Sequence, residues 1–177
     1  NIQYTLGLTT NCILEDKQLK YIKDNFKLIT VSFDGLPELQ NKNRTFPGGK
    51  GTFEKVNYSL KYFSKFNIPI VIRSTIWPND YSRLNEIAEY VFNQYPNVTI
   101  LDVEPINSRG RAARSKSDTL EKDYVDYYIE TKKRLSSAGM GDKFVCGKFK
   151  DNIASFLCGT SYGKNPWLLP SGNVVTC

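Results

Sequence analysis

The chain contains no histidine. That absence removes Ser-His-Asp and Cys-His catalysis and every histidine-ligated zinc site. No stretch approaches eighteen consecutive apolar residues, so no transmembrane helix is expected. The four cysteines include no C-x2-C pair, which excludes a zinc ribbon. There is no internal repeat and no low-complexity tract. The opening "NIQYTLGL" lacks a basic region followed by an apolar one, the mark of a secretory signal, and it lacks an initiator Met. The expectations drawn from these absences are a cytoplasmic protein and an internal fragment of a longer one.

What is present is enough for one domain: 177 residues, 40% hydrophobic and 24% charged. A net charge of +6 is ordinary for a soluble domain and does not by itself indicate nucleic acid. Strand-like and helix-like segments alternate. "IQYTLGL" (2–8) reads as a strand, and 14–26 places Leu19, Ile22 and Phe26 on one helix face. "LITVSF" (28–33) reads as a strand buried on both faces. A loop is expected over 34–51, rich in Gly, Pro and Asn. Thr52 then caps a helix carrying Val56, Leu60 and Phe63. "IPIVIRSTI" (68–76) is the third strand. Asn79 or Asp80 caps a helix with Leu84, Ile87, Val91 and Tyr95 inward, and 98–106 holds the fourth strand. A last helix, capped by Asp118 with Glu121, carries Val125, Tyr128, Ile129, Lys132 and Leu135 on its stripe. This order requires parallel strands and right-handed crossovers, as in half of an eightfold barrel or most of a doubly wound sheet. After Gly139 the pattern changes to short apolar pieces with three of the four cysteines, so residues 1–138 and 139–177 read as two modules.

Parallel α/β folds bind ligands at the carboxyl ends of their strands. Those ends are "TTNC" (9–12), "SFDG" (32–35), "RSTI" (73–76) and "DVEPINSRGRA" (102–112). Ser32, Asp34, Arg73, Asp102 and Glu104 are the candidates they supply. An arginine within "VIRST" is costly to bury alone, so a carboxylate partner is expected, either Glu104 or a ligand's. The basic stretch "SRGRAARSK" (108–116) fits a solvated loop or a phosphate or RNA contact, but it lacks the aromatic residues of a stacking platform. Cys12 reads as a small buried hydrophobe and Cys146 is ambiguous. Cys158 and Cys177 enclose a turn and form the best pair, as a disulfide or as metal or redox ligands. Two rival functions stay open on the residues alone. One is an ordinary TIM-type α/β enzyme using Arg73, Asp102 and Glu104 for acid-base work or metal binding, although no strand end carries a catalytic lysine. The other is an RNA-binding module.

Taken in order, "TTNC", "SFDG", "QNKNR", "GTFEKV", "IPIVIRSTI" and "EPINSRGRA" resemble the middle of radical S-adenosylmethionine enzymes with a SPASM extension, such as anaerobic sulfatase-maturating and peptide-maturating enzymes. Cys12 replaces the glycine usual in the family's first motif. Cys158, thirteen residues, Gly172, four residues and Cys177 fit the opening of the SPASM module. The family's C-x3-C-x2-C and "GGE"-like motifs are absent from the chain.

The resemblance implies an α/β fold: a partial parallel (β/α) barrel, equivalent to barrel strands three to six, followed by the start of a SPASM module. It implies S-adenosylmethionine and 4Fe-4S clusters as cofactors. The full-length enzyme would generate a 5′-deoxyadenosyl radical that abstracts hydrogen from a peptide or protein side chain. Cofactor-binding roles fall to Ser32, Asp34, Arg73, Asp102 and Val103, the last two through backbone groups near the adenine. Arg44 would reach the substrate, and Cys158 and Cys177 would be thiolate ligands of an auxiliary cluster. The implied partners are a peptide or protein substrate and an electron donor such as flavodoxin or ferredoxin, with neither membrane nor nucleic acid. The chain alone is expected to be inactive, and an open strand edge makes it prone to self-association.

Overall fold

β-Branched and aliphatic residues dominate the segments that form strands. In the computed structural model, which describes residues 6–106, 122–147, 167–168 and 171–175, these are β1 (Gly7–Thr10), β2 (Leu28–Ser32), β3 (Ile70–Ile76), β4 (Val98–Pro105) and a short β5 (Phe144–Val145). All pair in parallel, in the order β1-β2-β3-β4-β5. Every strand therefore lies beside its predecessor. A doubly wound sheet reverses direction at a switch point. This one does not, so right-handed crossovers put its helices on one side, as in an arc of a barrel.

The helices are α1 (Asp16–Asn25), α2 (Pro37–Asn43), α3 (Phe53–Lys65), α4 (Leu84–Gln94) and α5 (Lys122–Ser137), with 3₁₀ turns at Pro78–Arg83 and Gly141–Lys143. Their apolar stripes meet the sheet. Leu19, Val56, Leu60, Phe63, Leu84, Ile87, Val91 and Tyr95 are fully buried with Ile29, Val31, Ile70, Ile72, Leu101 and Val103 from the strands. Tyr124, Tyr128 and Phe144 continue this core as a run of ring contacts from Tyr81.

The structure changes several expectations. β2 is buried on one face only: Ile29 and Val31 face the helices, while Thr30 and Ser32 are half-buried on the other side. That second, concave side of the sheet has no helix layer among the described residues. The 34–51 segment contains α2. Its seven residues begin with Pro37 in the first turn, where a missing N–H costs nothing. Thr52 stands at the N-cap of α3, but its side chain does not cap the helix. Neither Asn79 nor Asp80 caps α4, which starts at Leu84 after the 3₁₀ turn. The buried stripe of α5 is Tyr124, Tyr128, Thr131 and Leu135, and Ile129 is exposed. The rotation follows from Tyr124, whose hydroxyl donates to the Val103 carbonyl at 2.8 Å and fixes the helix against β4. Lys132 lies along the edge as expected, and its ammonium donates to the carbonyls of Gly141 and Phe144, both at 2.6 Å. Those two bonds hold the turn that delivers β5 to the sheet. β5 itself lies beyond residue 138, where the sequence pattern divides the chain.

Near the end, β6 (Trp167–Leu168) and β7 (Val174–Val175) pair antiparallel. Gly172 lies between them with φ of 84°, a left-handed conformation that glycine adopts without steric cost. The Asp118–Glu121 cap falls outside the described residues, as does the basic stretch 108–116. No helix among the described residues is long and apolar enough to cross a membrane.

Candidate functional site

Strand register assembles the site. Successive side chains of a strand point to opposite faces, so parallel partners in register share a face. Ser32 pairs with Arg73, Arg73 with Asp102, and Thr75 with Glu104. Their side chains line a polar pocket of about 260 Å³ with Arg44 and Ser74. The pocket sits at the carboxyl ends of β2, β3 and β4, where parallel α/β folds place ligands.

Arg73 is more than half exposed on this concave face. Its Nε lies 3.6 Å from Asp102 Oδ2 and its Nη2 lies 3.6 Å from Glu104 Oε1. The carboxylate partner expected from sequence is thus a pair, one residue apart on the next pocket-facing positions of β4. Both distances exceed hydrogen-bonding range, so the guanidinium is held by charge and is free to donate elsewhere. Asp102 is also fixed from the β5 side, accepting the Gly147 N–H at 3.1 Å. A Cβ on Gly147 would stand 2.6 Å from Glu104 Oε1, so the backbone closes tightly over the two carboxylates.

Asp34 is almost fully buried and does not line the pocket directly. Its Oδ1 accepts from Arg44 Nη2 at 2.9 Å and from the Thr75 N–H at 3.3 Å. It therefore ties the end of β2 to β3 and presents Arg44 to the pocket. Arg44 Nε is buried with no hydrogen-bond partner. An unpaired buried donor of this kind costs about 1–3 kcal/mol. Ser74 Oγ is likewise buried and unpaired.

The "QNKNR" stretch is where sequence reasoning missed most. Gln40 accepts the Asp34 N–H at 2.9 Å and donates to Thr52 Oγ1 at 2.9 Å. Asn41 accepts the Phe53 N–H at the start of α3, and Lys42 pairs with Asp80 at 3.2 Å. Four of its five residues therefore tie α2 to neighbouring segments. A run of amides and basic residues following a Pro-Glu helix start was the available signal.

One sequence candidate, Val103, is placed differently from the pocket residues, while Cys12 is the small buried hydrophobe the sequence suggests. Val103 turns its side chain into the helix-side core, and its carbonyl already accepts the Tyr124 hydroxyl. Cys12 is fully buried in a left-handed conformation, φ 60°, and burial pushes its thiol up to about 12. It is an inert packing residue at neutral pH. Cys146 is also buried, and the pair Cys158 and Cys177 lies outside the described residues. Among the described residues no group of three or more Cys, Asp or Glu is arranged to hold a metal ion.

A one-directional parallel sheet with a polar pocket across its strand ends defines the class: part of a barrel-type α/β fold. Comparison with known proteins gives the kinship. Over 91 residues the chain is 28% identical to the cysteine-type anaerobic sulfatase-maturating enzyme of Clostridium perfringens, covering 51% of this chain and 25% of that protein. It is 23% identical over 165 residues to the enzyme of the same name from Clostridium novyi, covering 91% of this chain and 43% of that protein. The chain thus spans less than half the length of these curated relatives. No protein-family model matches it. Among solved structures, anSMEcpe with bound AdoMet (S-adenosylmethionine) superposes with a TM-score of 0.66 at 23% identity, over 82% of this chain and 40% of that one. Streptococcus suis SuiB bound to precursor peptide SuiA superposes with a TM-score of 0.61 at 12% identity, over 79% of this chain and 31% of that one. Over the part it spans, the chain is similar in sequence to anaerobic sulfatase-maturating enzymes and shares the fold of anSMEcpe and SuiB.

Proposed function

We propose that the chain is part of a longer radical S-adenosylmethionine enzyme that modifies a peptide or protein side chain, as in sulfatase or peptide maturation. The observation that carries this reading is the pocket at the ends of β2, β3 and β4. It gathers hydroxyl, guanidinium and carboxylate groups on one face, and the ligand offers complementary groups: a carboxylate, an ammonium and a ribose diol. At about 260 Å³ the pocket is smaller than the ~300–1,000 Å³ of typical small-molecule sites. It therefore holds one end of the ligand, with the rest lying along the concave face.

Ser32 would contact the ribose or carboxylate of S-adenosylmethionine, and Arg73 would exchange its loose ion pairs for the ligand carboxylate. Asp102 and Glu104 would accept from the ammonium or the diol, with the backbone near Asp102 and Val103 toward the adenine. Asp34 acts from behind by holding Arg44, which faces the peptide. When bound, the cofactor supplies the hydrogen-abstracting chemistry, and the protein positions and shields it. Cys158 and Cys177 would contribute two thiolates to an auxiliary 4Fe-4S cluster in a module beginning near residue 139. A flavodoxin or ferredoxin would deliver electrons in the cytoplasm. Neighbour structures with bound AdoMet and with bound peptides support the two ligand classes.

By itself the chain supplies two of a cluster's four ligands and is proposed to be inactive. An apolar groove of about 460 Å³ runs beside edge strand β1, lined in part by Leu8, Leu14, Tyr21, Ile22 and Phe26. It supports the proposal that the isolated chain associates through that edge.

Calorimetric titration of the full-length protein with S-adenosylmethionine under anaerobic conditions tests the site. Ser32→Ala is expected to weaken binding by about fivefold, the value of one hydrogen bond. Unchanged affinity removes Ser32 from the site.

A further inference from the structure

Arg44 is held in place by a closed circuit of hydrogen bonds that neither the sequence motif nor the pocket lining reveals. From the Asp34 backbone, the N–H donates to Gln40 Oε1 at 2.9 Å. Gln40 Nε2 donates to Thr52 Oγ1 at 2.9 Å, and that hydroxyl donates to the Arg44 carbonyl at 2.6 Å. Arg44 Nη2 closes the ring on Asp34 Oδ1 at 2.9 Å. Gln40 and Thr52 are 1% and 2% exposed, so water does not compete for these bonds.

Helix stability alone does not account for this arrangement. Thr52 occupies the N-cap of α3, where a hydroxyl ordinarily accepts from the first turn of the helix. Here it makes no such bond. The Thr52 hydroxyl donates into the circuit instead, and Asn41 Oδ1 accepts the adjacent Phe53 N–H at 2.9 Å. The circuit also holds Arg44 where its Nε is buried and unpaired. A segment optimised only for folding gains nothing from that orphan donor. A ligand carboxylate arriving at the pocket would find the guanidinium already aimed, and its acceptors would be available to the unused donors.

We propose that Gln40 and Thr52 are positioning residues that fix Arg44 for contact with a carboxylate of the peptide substrate. The inference rests on the reading of Arg44 as a substrate contact, and the two are separable by experiment.

The direct readout is solvent exchange of the Arg44 Nε–H, followed by nitrogen-15 NMR on the full-length protein, with circular dichroism as the check on folding. Thr52→Val removes the hydroxyl at constant shape and is expected to speed exchange by about fivefold. Thr52→Ser restores the hydroxyl and is expected to restore slow exchange. Gln40→Glu keeps the acceptor for the Asp34 N–H but loses the donor to Thr52. It is expected to act like Thr52→Val, and it serves if the valine variant does not fold. Exchange unchanged in the folded variants overturns the proposal, as does failure of serine to rescue.

The second readout is calorimetric binding of the Cp18Cys peptide, seen in one neighbour structure, to the full-length protein saturated with S-adenosylmethionine. Arg44→Ala and Thr52→Val are both expected to weaken it, by about tenfold and about fivefold, and Thr52→Ser to leave it near wild type. If Arg44→Ala has no effect, Arg44 is not a substrate contact. The NMR result then still decides whether the circuit positions it.

Discussion

Gly35→Val is expected to lower the unfolding free energy by about 2–6 kcal/mol, the sum of a strained backbone and an overpacked contact. Domains of this kind are stable by about 5–15 kcal/mol, so the loss is a large share of the total. Two independent observations converge on this glycine. Its φ is 86°, a left-handed value costly for a β-branched residue. A Cβ there would also lie 2.6 Å from Ile87 Cγ2, and Ile87 is fully buried on α4. The Asp34-Gly35 turn thus presses backbone against the helix layer, which is the physical content of the "SFDG" motif. Gly48→Val is the control. Its φ is 94°, but nothing stands within 4 Å of the added Cβ, so it bears the backbone cost without the clash, about 1–3 kcal/mol. Chemical denaturation of both variants measures the difference. Equal losses would show that the contact with Ile87 is not what requires glycine.

Asp34→Ala is expected to cost about 3–5 kcal/mol, the usual penalty for breaking a buried ion pair on one side. The carboxylate is 2% exposed and accepts from both Arg44 and the Thr75 N–H. Removing it leaves the guanidinium without a counter-charge and β3 with an unpaired donor. The Arg44 side chain is 31% exposed, so it will recover part of the loss by turning toward water, and the lower end of the range is the better expectation. Arg44→Met should cost at least as much, because it leaves the Asp34 carboxylate, 2% exposed, with only the Thr75 N–H to offset its charge. The double variant should be more stable than the sum of the two single losses predicts, with a coupling of about 1–3 kcal/mol. Strict additivity would mean that the pair does not hold the loop to the sheet.

Both residues were legible in the sequence as members of a strand-end motif, but not for these reasons. β2, β3 and β4 and the helices carrying Val56, Leu60 and Phe63 or Leu84, Ile87 and Val91 follow from apolar periodicity, and the structure places them close to where the pattern does. α2 does not follow from it. Among its seven residues only Leu39 and Gln40 are buried, and what stabilises it is a set of side-chain bonds to segments distant in sequence. A two-residue strand such as β5 has no period to read. It exists because β4 offers an edge and Lys132 shapes the turn before it.

The site shows the same division. Ser32, Arg73, Asp102 and Glu104 could be placed on one face, because parallel strands alternate in step. That Arg73 would meet both carboxylates depends on a register between β3 and β4 that a single strand's sequence does not contain. Gln40 and Thr52 looked like a loop residue and a helix cap. Only the fold brings them to Arg44.

We propose that the concave face of this sheet is the S-adenosylmethionine site of a radical enzyme. The most direct measurement is anaerobic turnover of the full-length protein, reconstituted with iron and sulfide, chemically reduced and supplied with S-adenosylmethionine. The account predicts release of 5′-deoxyadenosine, and a loss of about tenfold in that rate at subsaturating cofactor when Arg73 is replaced by alanine. A reconstituted, reduced protein that neither binds S-adenosylmethionine nor cleaves it, or one whose cleavage is indifferent to Arg73, would contradict it.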